Sequence, residues 1–388
     1  MQFSFASAGR IIFGPAAASQ IADCAKTLGG RALVVTGSDP GRVAWIFRDL
    51  ETAHLECTRF QVTAEPEVAV VDSGARLARQ SRCDMVIGIG GGSVLDAAKA
   101  IAALTTNPPP IDTYLEVIGR ALPLPNSPAP CIAVPTTAGT GSEVTRNAVI
   151  RSRRHRIKVS MRSVEMLPRF AIIDPELTLD LPPSITAATG FDALCQLLEA
   201  YVSSRANPLT DSLCREGLAS CARSLKHAVR DGRHLAARTD MAMASLFSGL
   251  ALANAGLGAV HGIAGPLGGL FDAPHGAVCA RLLPSVTAAN IAALQADGGF
   301  TACLERYTEI ARILCRNPAA AASDGVHWLQ AAADQLEIPP LDRWGLDQRD
   351  VPSLAGQALT SSSMQGNPVK LSRRALEHAI CQALETER

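Results

Sequence analysis

Three short and almost entirely apolar runs, separated by helix-like segments, constrain the fold of the first half of the chain. The runs are residues 31–36 (RALVVT), 84–89 (DMVIGI) and 131–135 (CIAVP). Strands without polar alternation are typical of parallel sheets that helices cover on both faces. Apolar periodicity predicts helices between the runs, at 68–79 and 94–104. The pattern therefore predicts an α/β domain built on a parallel sheet.

The remaining segments predict a second domain of a different class. Residues 107–130 hold several prolines and read as a loop, and residues 144–174 alternate in polarity and predict a hairpin that ends in the apolar run FAIID. After the LPPS motif near residue 182, Ala- and Leu-rich sequence with helical periodicity continues to the end. We therefore predict an α/β domain at 1–181 and an all-helical domain at 182–388.

The composition argues against several classes of partner. Lys and Arg number 36 and Asp and Glu number 36, so the net charge is zero and no global field attracts nucleic acid or anionic lipid. Neither an uncharged apolar stretch of about 18 residues nor a signal-peptide pattern is present in the sequence. Eleven scattered cysteines without a C-x-x-C motif are interpreted as reduced, buried, small apolar residues. We therefore expect a cytoplasmic protein with no nucleic-acid or membrane partner.

Two loops rich in glycine and hydroxyl groups follow two of the predicted strands. Residues 88–99 read GIGGGSVLDAAK, in which a glycine turn leads into a helix whose N-terminal N–H groups suit a pyrophosphate. Ser93 and Asp96 also fit a helix-capping pattern. Residues 135–145 read PTTAGTGSEVT and offer hydroxyl and backbone donors. Because ligands of open α/β sheets collect at the carboxyl ends of strands, the loops predict a nucleotide site, and the alternative is two tight turns without a ligand.

The helical half contains candidate metal ligands. Asp192 and Gln196 are four residues apart and share a helix face. His261 and His275 lie in apolar sequence, where imidazole groups are either metal ligands or core histidines with hydrogen-bond partners. The spacing alone leaves both interpretations open.

A basic run at 146–162 has three interpretations. It could bind nucleic acid, form a solvated hairpin balanced by acidic groups elsewhere, or turn one cation, Lys158, towards a cofactor. The neutral net charge favours the solvated hairpin.

Several motifs, taken in order along nearly the whole chain, resemble those of the iron-containing alcohol dehydrogenases. They are RIIFG at 10–14, GGGS at 90–93, TTN at 105–107, PTTAGTGSE at 135–143, DPELT at 174–178, TGFDAL at 189–194, and the histidine elements VHG and PHG around His261 and His275. The resemblance implies a Rossmann-like α/β dinucleotide-binding domain, an all-α C-terminal domain and an active site in the cleft, in an architecture shared with dehydroquinate synthases.

The resemblance also implies roles for individual residues of the dinucleotide site. Pyrophosphate would lie at the start of the helix after the glycine turn, with the nicotinamide near the hydroxyl-rich loop and one lysine approaching the cofactor. The candidate cofactor-binding residues are Gly37, Ser38, Gly91, Gly92, Ser93, Asp96, Thr136, Thr137, Thr140, Ser142 and Lys158.

The metal site of the family is only partly reproduced in this sequence. Asp192, His261 and His275 fill three of its four ligand positions, and these three are the candidate catalytic residues. Gln196 stands where a histidine is usual, and an amide oxygen is a weaker ligand for late first-row metals. Gly265 replaces a second histidine that often takes part in proton transfer. We therefore expect iron or zinc, bound more weakly than by three imidazoles.

A third departure from the family pattern concerns the choice of cofactor. The acidic residue that commonly follows the first strand is Gly37 here, with Ser38 and Arg42 nearby. A carboxylate at that position would repel a 2′-phosphate, so its absence predicts that NADP is accepted as well as NAD.

The sequence as a whole predicts an NAD(P)-dependent alcohol dehydrogenase or aldehyde reductase. Hydride would pass between the nicotinamide and a small alcohol or carbonyl substrate, with assistance from a metal. The family further implies a homodimer or larger homo-oligomer. Three alternatives remain open at this point: a metal-independent oxidoreductase like maleylacetate reductase, a lyase like dehydroquinate synthase, and a non-catalytic dinucleotide-binding protein.

Overall fold

The computed structural model describes residues 2–296 and 301–384 and divides the chain into two compact units. Ala6–Leu179 forms an α/β unit. The described residues from Asp180 onward form a helical unit, to which residues 2–5 also belong. The predicted combination of a parallel-sheet domain and a helical domain is confirmed.

A six-stranded parallel sheet forms the centre of the α/β unit. Its strand order is β1-β8-β5-β4-β2-β3, and β6 and β7 form a separate antiparallel hairpin. The strands are β1 (Arg10–Phe13), β2 (Arg31–Thr36), β3 (Glu56–Gln61), β4 (Met85–Gly90), β5 (Cys131–Pro135), β6 (Asn147–Ser152), β7 (Ile157–Arg162) and β8 (Phe170–Ile173). The helices are α1 (Ile21–Lys26), α2 (Ala44–Thr52), α3 (Val68–Gln80) and α4 (Gly92–Thr106).

Two apolar cores cover the two faces of this sheet. In β2, Leu33 and Val35 enter the core that contains α3 and α4, whereas Ala32 and Val34 enter the core on the opposite face, with α1 and α2. All four side chains are fully buried. Burial on both faces explains why the central strands are uniformly apolar in sequence.

The two edge strands of the sheet, β1 and β3, were not predicted from the sequence. β3 alternates between exposed and half-buried residues, and β1 is only four residues long, so neither has the apolar run of a central strand. The hairpin predicted within residues 144–174 is present as β6 and β7, and the apolar run after it is β8.

One glycine allows α4 to lie close to the sheet. A Cβ atom at Gly88 on β4 would lie 2.7 Å from Ala98 Cβ, closer than two carbon atoms can approach. The glycines of the strand-to-helix segment therefore serve helix packing as well as any ligand.

The helical unit is built around α5. Its helices are α5 (Pro183–Val202), α6 (Pro208–Arg230), α7 (Leu235–Ala255), α8 (Ala259–Leu270), α9 (His275–Ala296), α10 (Thr301–Cys315), α11 (Ala322–Gln335), α12 (Val351–Thr360) and α13 (Arg373–Leu384). α5 packs against α6, α7 and α9. Of the described helices, only α9 has the length and hydropathy of a membrane span by itself, and 72% of its most apolar window is buried within the fold. Such burial is typical of a core helix.

Candidate functional site

Three helices bring polar side chains to one point inside the helical unit. Asp192 is buried on α5, His261 lies in the first turn of α8, and His275 is the first residue of α9. Gly276 makes the approach of α9 possible, because a Cβ atom there would lie 2.0 Å from the carbonyl oxygen of Ala188 on α5. The start of α9 is therefore held directly against α5.

The side chains of Asp192, His261 and His275 converge. Asp192 Oδ1 lies 3.4 Å from His261 Nε2 and 3.7 Å from His275 Nε2. Among the described residues, this buried oxygen has no hydrogen-bond partner. A carboxylate and two imidazoles that point at one another are a donor set suited to a divalent metal ion. The side chain of His275 is 35% exposed, so the cluster is reached from solvent at that residue.

Glu199, which the sequence analysis missed, orients His261. Its Oε2 atom lies 2.6 Å from His261 Nδ1, and its Oε1 atom accepts a hydrogen bond of 2.6 Å from the Val260 N–H. A carboxylate on Nδ1 leaves Nε2 of the ring available to a metal, as in the carboxylate–histidine–zinc arrangement. The signal in the sequence was its spacing, since Glu199 lies two helical turns after Asp192 on the same face.

Two cysteines, which are free and buried as predicted, also line the cluster. Cys279 Sγ lies 3.6 Å from His275 Nε2 and 3.9 Å from His261 Nε2. Cys195 Sγ lies 3.8 Å from the other nitrogen of His261, Nδ1. Cys279 is four residues after His275, a spacing that places both on one face of α9.

The electrostatics of the cluster favour charged forms. Burial raises the pKa of the Cys279 thiol, but a hydrogen bond from Cys195 and the neighbouring histidines outweigh burial and hold that pKa well below its ordinary value. Burial lowers the pKa of His261, but Cys279, Glu199 and Asp192 outweigh it and raise the pKa well above its ordinary value. A thiolate and cationic or metal-bound imidazoles are therefore mutually stabilising here.

Gln196 and Gly265, at which the family resemblance implies histidines, have different surroundings in the structure. Gln196 is buried, and its Oε1 atom accepts a hydrogen bond of 2.7 Å from Ser248 on α7. A Cβ atom at Gly265 on α8 would meet nothing within 4 Å among the described residues. The space beside Gly265 is thus open among the described residues.

The predicted nucleotide-binding loops meet at the carboxyl ends of neighbouring strands. β4 lies between β2 and β5, and the Thr136 N–H donates a hydrogen bond of 3.0 Å to the Gly90 carbonyl. α4 begins at Gly92 with Gly91 as its N-cap, and no side chain caps it. The predicted capping by Ser93 and Asp96 is therefore wrong, because the glycine turn itself begins the helix.

Asp96 connects α4 to the second loop and to the hairpin. Its carboxylate accepts hydrogen bonds from the Ser142 hydroxyl at 2.5 Å and the Val149 N–H at 2.9 Å, and it pairs with the fully buried Lys99 at 3.1 Å. Lys99 also donates to the Ser142 carbonyl and the Thr145 hydroxyl. The contacts of Asp96 and of the Ser142 hydroxyl are thus made within the protein.

The glycine turn also packs tightly against the hydroxyl-rich loop. A Cβ atom at Gly92 would lie 2.6 Å from Thr140 Cγ2, whereas one at Gly91 would lie 3.4 Å from the Thr137 side chain. A bulky side chain at Gly92 would disturb this packing whether or not a ligand binds. Ser93, which is half-buried in the first turn of α4, is the better position for a test of ligand binding.

Acidic groups neutralise several cations of the basic hairpin. Lys158 forms an ion pair with Glu65, Arg153 pairs with Glu67, and Arg162 pairs with Glu116. These pairs support the interpretation of residues 146–162 as a balanced hairpin. Lys158 is held beside the segment that follows β3.

The loop after β2 carries the predicted determinants of cofactor choice. Gln61 Nε2 donates hydrogen bonds to the carbonyls of Gly37 at 3.2 Å and Ser38 at 2.9 Å. A Cβ atom at Gly37 would meet only Val94, at an ordinary 3.8 Å. Asp39, which is exposed, accepts a hydrogen bond from the Gly41 N–H. A larger side chain therefore fits at Gly37.

Comparison with known proteins now identifies the family. The family described as iron-containing alcohol dehydrogenase matches residues 8–175, and its C-terminal domain, described as Fe-containing alcohol dehydrogenase family, C-terminal, matches residues 186–384. This chain belongs to the iron-containing alcohol dehydrogenase family. The family predicted from the sequence motifs is confirmed.

Individual relatives cover almost the whole chain. A 1,3-propanediol dehydrogenase of Citrobacter freundii is 36% identical in an alignment of 384 residues that covers 96% of this chain and 96% of the relative. An NAD-dependent methanol dehydrogenase of Bacillus methanolicus is 32% identical in an alignment of 368 residues that covers 92% of this chain and 93% of the relative. The crystal structure of a 1,3-propanediol oxidoreductase superposes with a TM-score of 0.91 at 34% identity, covering 99% of this chain and all of that one.

A buried acid in the hydroxyl-rich loop makes stability depend on pH. Glu143 is 1% exposed, and burial raises its pKa to about 7, although its own N–H and Lys99 oppose the shift. Its ordinary value is 4.5. Between these two values the folded state holds a proton that the unfolded state has lost, so the free energy of unfolding falls as pH rises, by on the order of 3 kcal/mol.

We expect Glu143→Gln to remove this fall. Relative to the parent, the variant should gain on the order of 3 kcal/mol between about pH 5 and about pH 8, because it has no carboxyl to ionise. The measurement is the free energy of unfolding in urea of both proteins at the two pH values. If the difference between parent and variant is the same at both, Glu143 does not titrate as argued.

Proposed function

We propose that this protein interconverts a small alcohol and its carbonyl compound, with Asp192, His261 and His275 as metal ligands and a nicotinamide dinucleotide at the glycine turn. The observation that carries the proposal is the convergence of these three side chains, in the fold of a dehydrogenase family, on a buried carboxylate oxygen that has no hydrogen-bond partner among the described residues. When bound, the nicotinamide supplies or accepts the hydride, and a divalent ion such as iron or zinc supplies Lewis acidity.

The side chains of this protein orient the proposed metal ligands and leave room for a substrate. Glu199 holds the Nδ1 proton of His261, which directs Nε2 towards Asp192. Packing of α9 on α5 fixes the backbone of His275. The exposed edge of the His275 side chain leaves access for a small substrate. Gly265 leaves room for substrate or water at the position where relatives with the usual motif carry a second histidine. Gly265 itself offers no side chain for proton transfer, so water in this space would carry the proton.

The proposed metal role is tested by chelation and by removal of one ligand. We expect the purified enzyme to oxidise NADH or NADPH in the presence of a panel of small aldehydes. Dialysis against a chelator or His261→Ala should lower kcat/KM by at least about 100-fold, because a second-shell change alone costs up to about that much. His378→Ala, at an exposed position of α13, is the matched control and should retain activity. Full activity after metal removal would favour the metal-independent reductase mode.

Dinucleotide binding at the start of α4 is tested at Ser93. A carboxylate in the first turn favours the helix itself by about 0.3–1 kcal/mol, but it would repel a pyrophosphate at the same N-terminus. We therefore expect Ser93→Asp to be at least as stable as the parent while its Kd for NADH rises at least about tenfold. Ser93→Asn is the uncharged control. Unchanged NADH binding by a stable Ser93→Asp variant would place the pyrophosphate elsewhere.

We propose that NADP(H) is accepted along with NAD(H), because no carboxylate is present at Gly37. Two observations favour NAD(H) instead. The exposed Asp39 lies two residues further on, and one relative is an NAD-dependent methanol dehydrogenase. We expect Gly37→Asp to shift the ratio of kcat/KM values towards NAD(H) by about 10- to 100-fold through repulsion of the 2′-phosphate. Gly37→Asn is the isosteric control. A parent enzyme that uses NAD(H) alone would contradict the proposal.

The alternative functions are not favoured by the comparisons, since the relatives reported above are alcohol dehydrogenases. We further propose a cytoplasmic homodimer or larger homo-oligomer, as the family resemblance implies. Light scattering coupled to size-exclusion chromatography measures the oligomeric state directly.

A further inference from the structure

The proposed metal cluster contains a thiol that the family pattern does not assign. Cys279 is fully buried on α9, one helical turn after His275. Single ligand atoms of Asp192, His261, His275 and Cys279 all lie within 4.8 Å of one another. We propose that Cys279 is the fourth metal ligand of this enzyme, in place of Gln196, and that the resulting set favours zinc over iron. The inference rests on the proposed function, because it concerns the same metal site.

The distances match the edges of a coordination tetrahedron. Metal–ligand bonds of about 2.0–2.3 Å at tetrahedral angles place neighbouring ligand atoms about 3.3–3.8 Å apart. The two edges from Asp192 Oδ1 to the imidazoles measure 3.4 and 3.7 Å. The two edges from Cys279 Sγ measure 3.6 Å to His275 Nε2 and 3.9 Å to His261 Nε2. The sulfur therefore completes the arrangement with little movement.

The competing ligand atom, Gln196 Oε1, already has a hydrogen-bond partner. Gln196 Oε1 accepts the 2.7 Å hydrogen bond from Ser248, and turning it to a metal would forfeit that buried contact. The second thiol, Cys195, lies near His261 Nδ1, the nitrogen that Glu199 holds. Cys195 is thus beside the nitrogen that Glu199 occupies, whereas Cys279 Sγ lies within 3.9 Å of Nε2 of both imidazoles.

A thiolate changes both the charge and the softness of the site. With Asp192, two neutral imidazoles and an amide, the four ligands and a divalent ion would sum to one positive charge, whereas with the Cys279 thiolate they would sum to zero. Glu199, which lies on His261 Nδ1, is common to both sets. Mixed Cys, His and carboxylate sets are typical of zinc, and thiolate ligands shift selectivity away from hard-ligand iron sites.

The first test is X-ray absorption at the zinc edge of the full-length enzyme loaded with one equivalent of Zn²⁺. We expect one sulfur neighbour at about 2.3 Å together with nitrogen and oxygen neighbours at about 2.0–2.2 Å. A stoichiometric zinc complex with nitrogen and oxygen neighbours alone would overturn the assignment of Cys279. This measurement needs no variant, so it does not depend on a mutant that folds.

The second test uses Co²⁺ as the probe in matched variants. The parent should show a thiolate-to-cobalt charge-transfer band that Cys279→Ser loses and that Cys195→Ser retains. Cys279→Ser should also weaken Zn²⁺ binding by at least about 100-fold, whereas Gln196→Ala should change it less than about tenfold. A band that survives in Cys279→Ser, or a larger effect at Gln196, would overturn the proposal.

These readouts separate the Cys279 inference from the proposed function. A zinc enzyme that reduces aldehydes without a sulfur neighbour remains a dehydrogenase and contradicts only the fourth ligand. Zinc-loaded protein with the sulfur neighbour but without activity on any alcohol or aldehyde would contradict the proposed function and leave the ligand set intact.

Discussion

The buried carboxylate of Asp192 is the constraint on which the arrangement of the helical unit depends. An ionised carboxylate away from water is costly unless cationic or hydrogen-bonding partners compensate it. Here the compensation comes from imidazoles on α8 and α9. Gly276 lets α9 lie against α5, and Glu199 accepts a hydrogen bond from the Val260 N–H in the first turn of α8. A cation at this point would relieve the remaining cost, which links the stability of the unit to its chemistry.

In the α/β unit, close packing brings the free backbone N–H groups at the start of α4 to the carboxyl ends of the central strands. Close packing of α4 at Gly88 and of the two loops at Gly92 places the start of α4 beside the end of β5. The polar side chains Asp96, Lys99 and Ser142 bond to one another and hold these loops from within. Residues that appear to be ligand contacts in the sequence thus also form the scaffold of the loop.

Elements and residues with a recognisable pattern could be predicted from the sequence. Those whose role depends on neighbours in three dimensions could not. β2, β4 and β5 were predictable because burial on both faces makes them apolar, whereas the edge strands β1 and β3 carry no such signal. Asp192, His261 and His275 stood out as polar groups in apolar helices, and the structure brings them together. Glu199 and Cys279 did not, because their helical spacing from Asp192 and His275 becomes informative only once their imidazole neighbours are known.

The central claim is that this dehydrogenase has one divalent metal ion at the meeting point of α5, α8 and α9. Anomalous diffraction at the zinc edge, from crystals of active enzyme grown with Zn²⁺, tests it most directly. The account predicts one strong peak about 2.0–2.2 Å from Asp192 Oδ1 and from the Nε2 atoms of His261 and His275. Active crystals with no peak at these three side chains, or with the metal bound elsewhere, would contradict it.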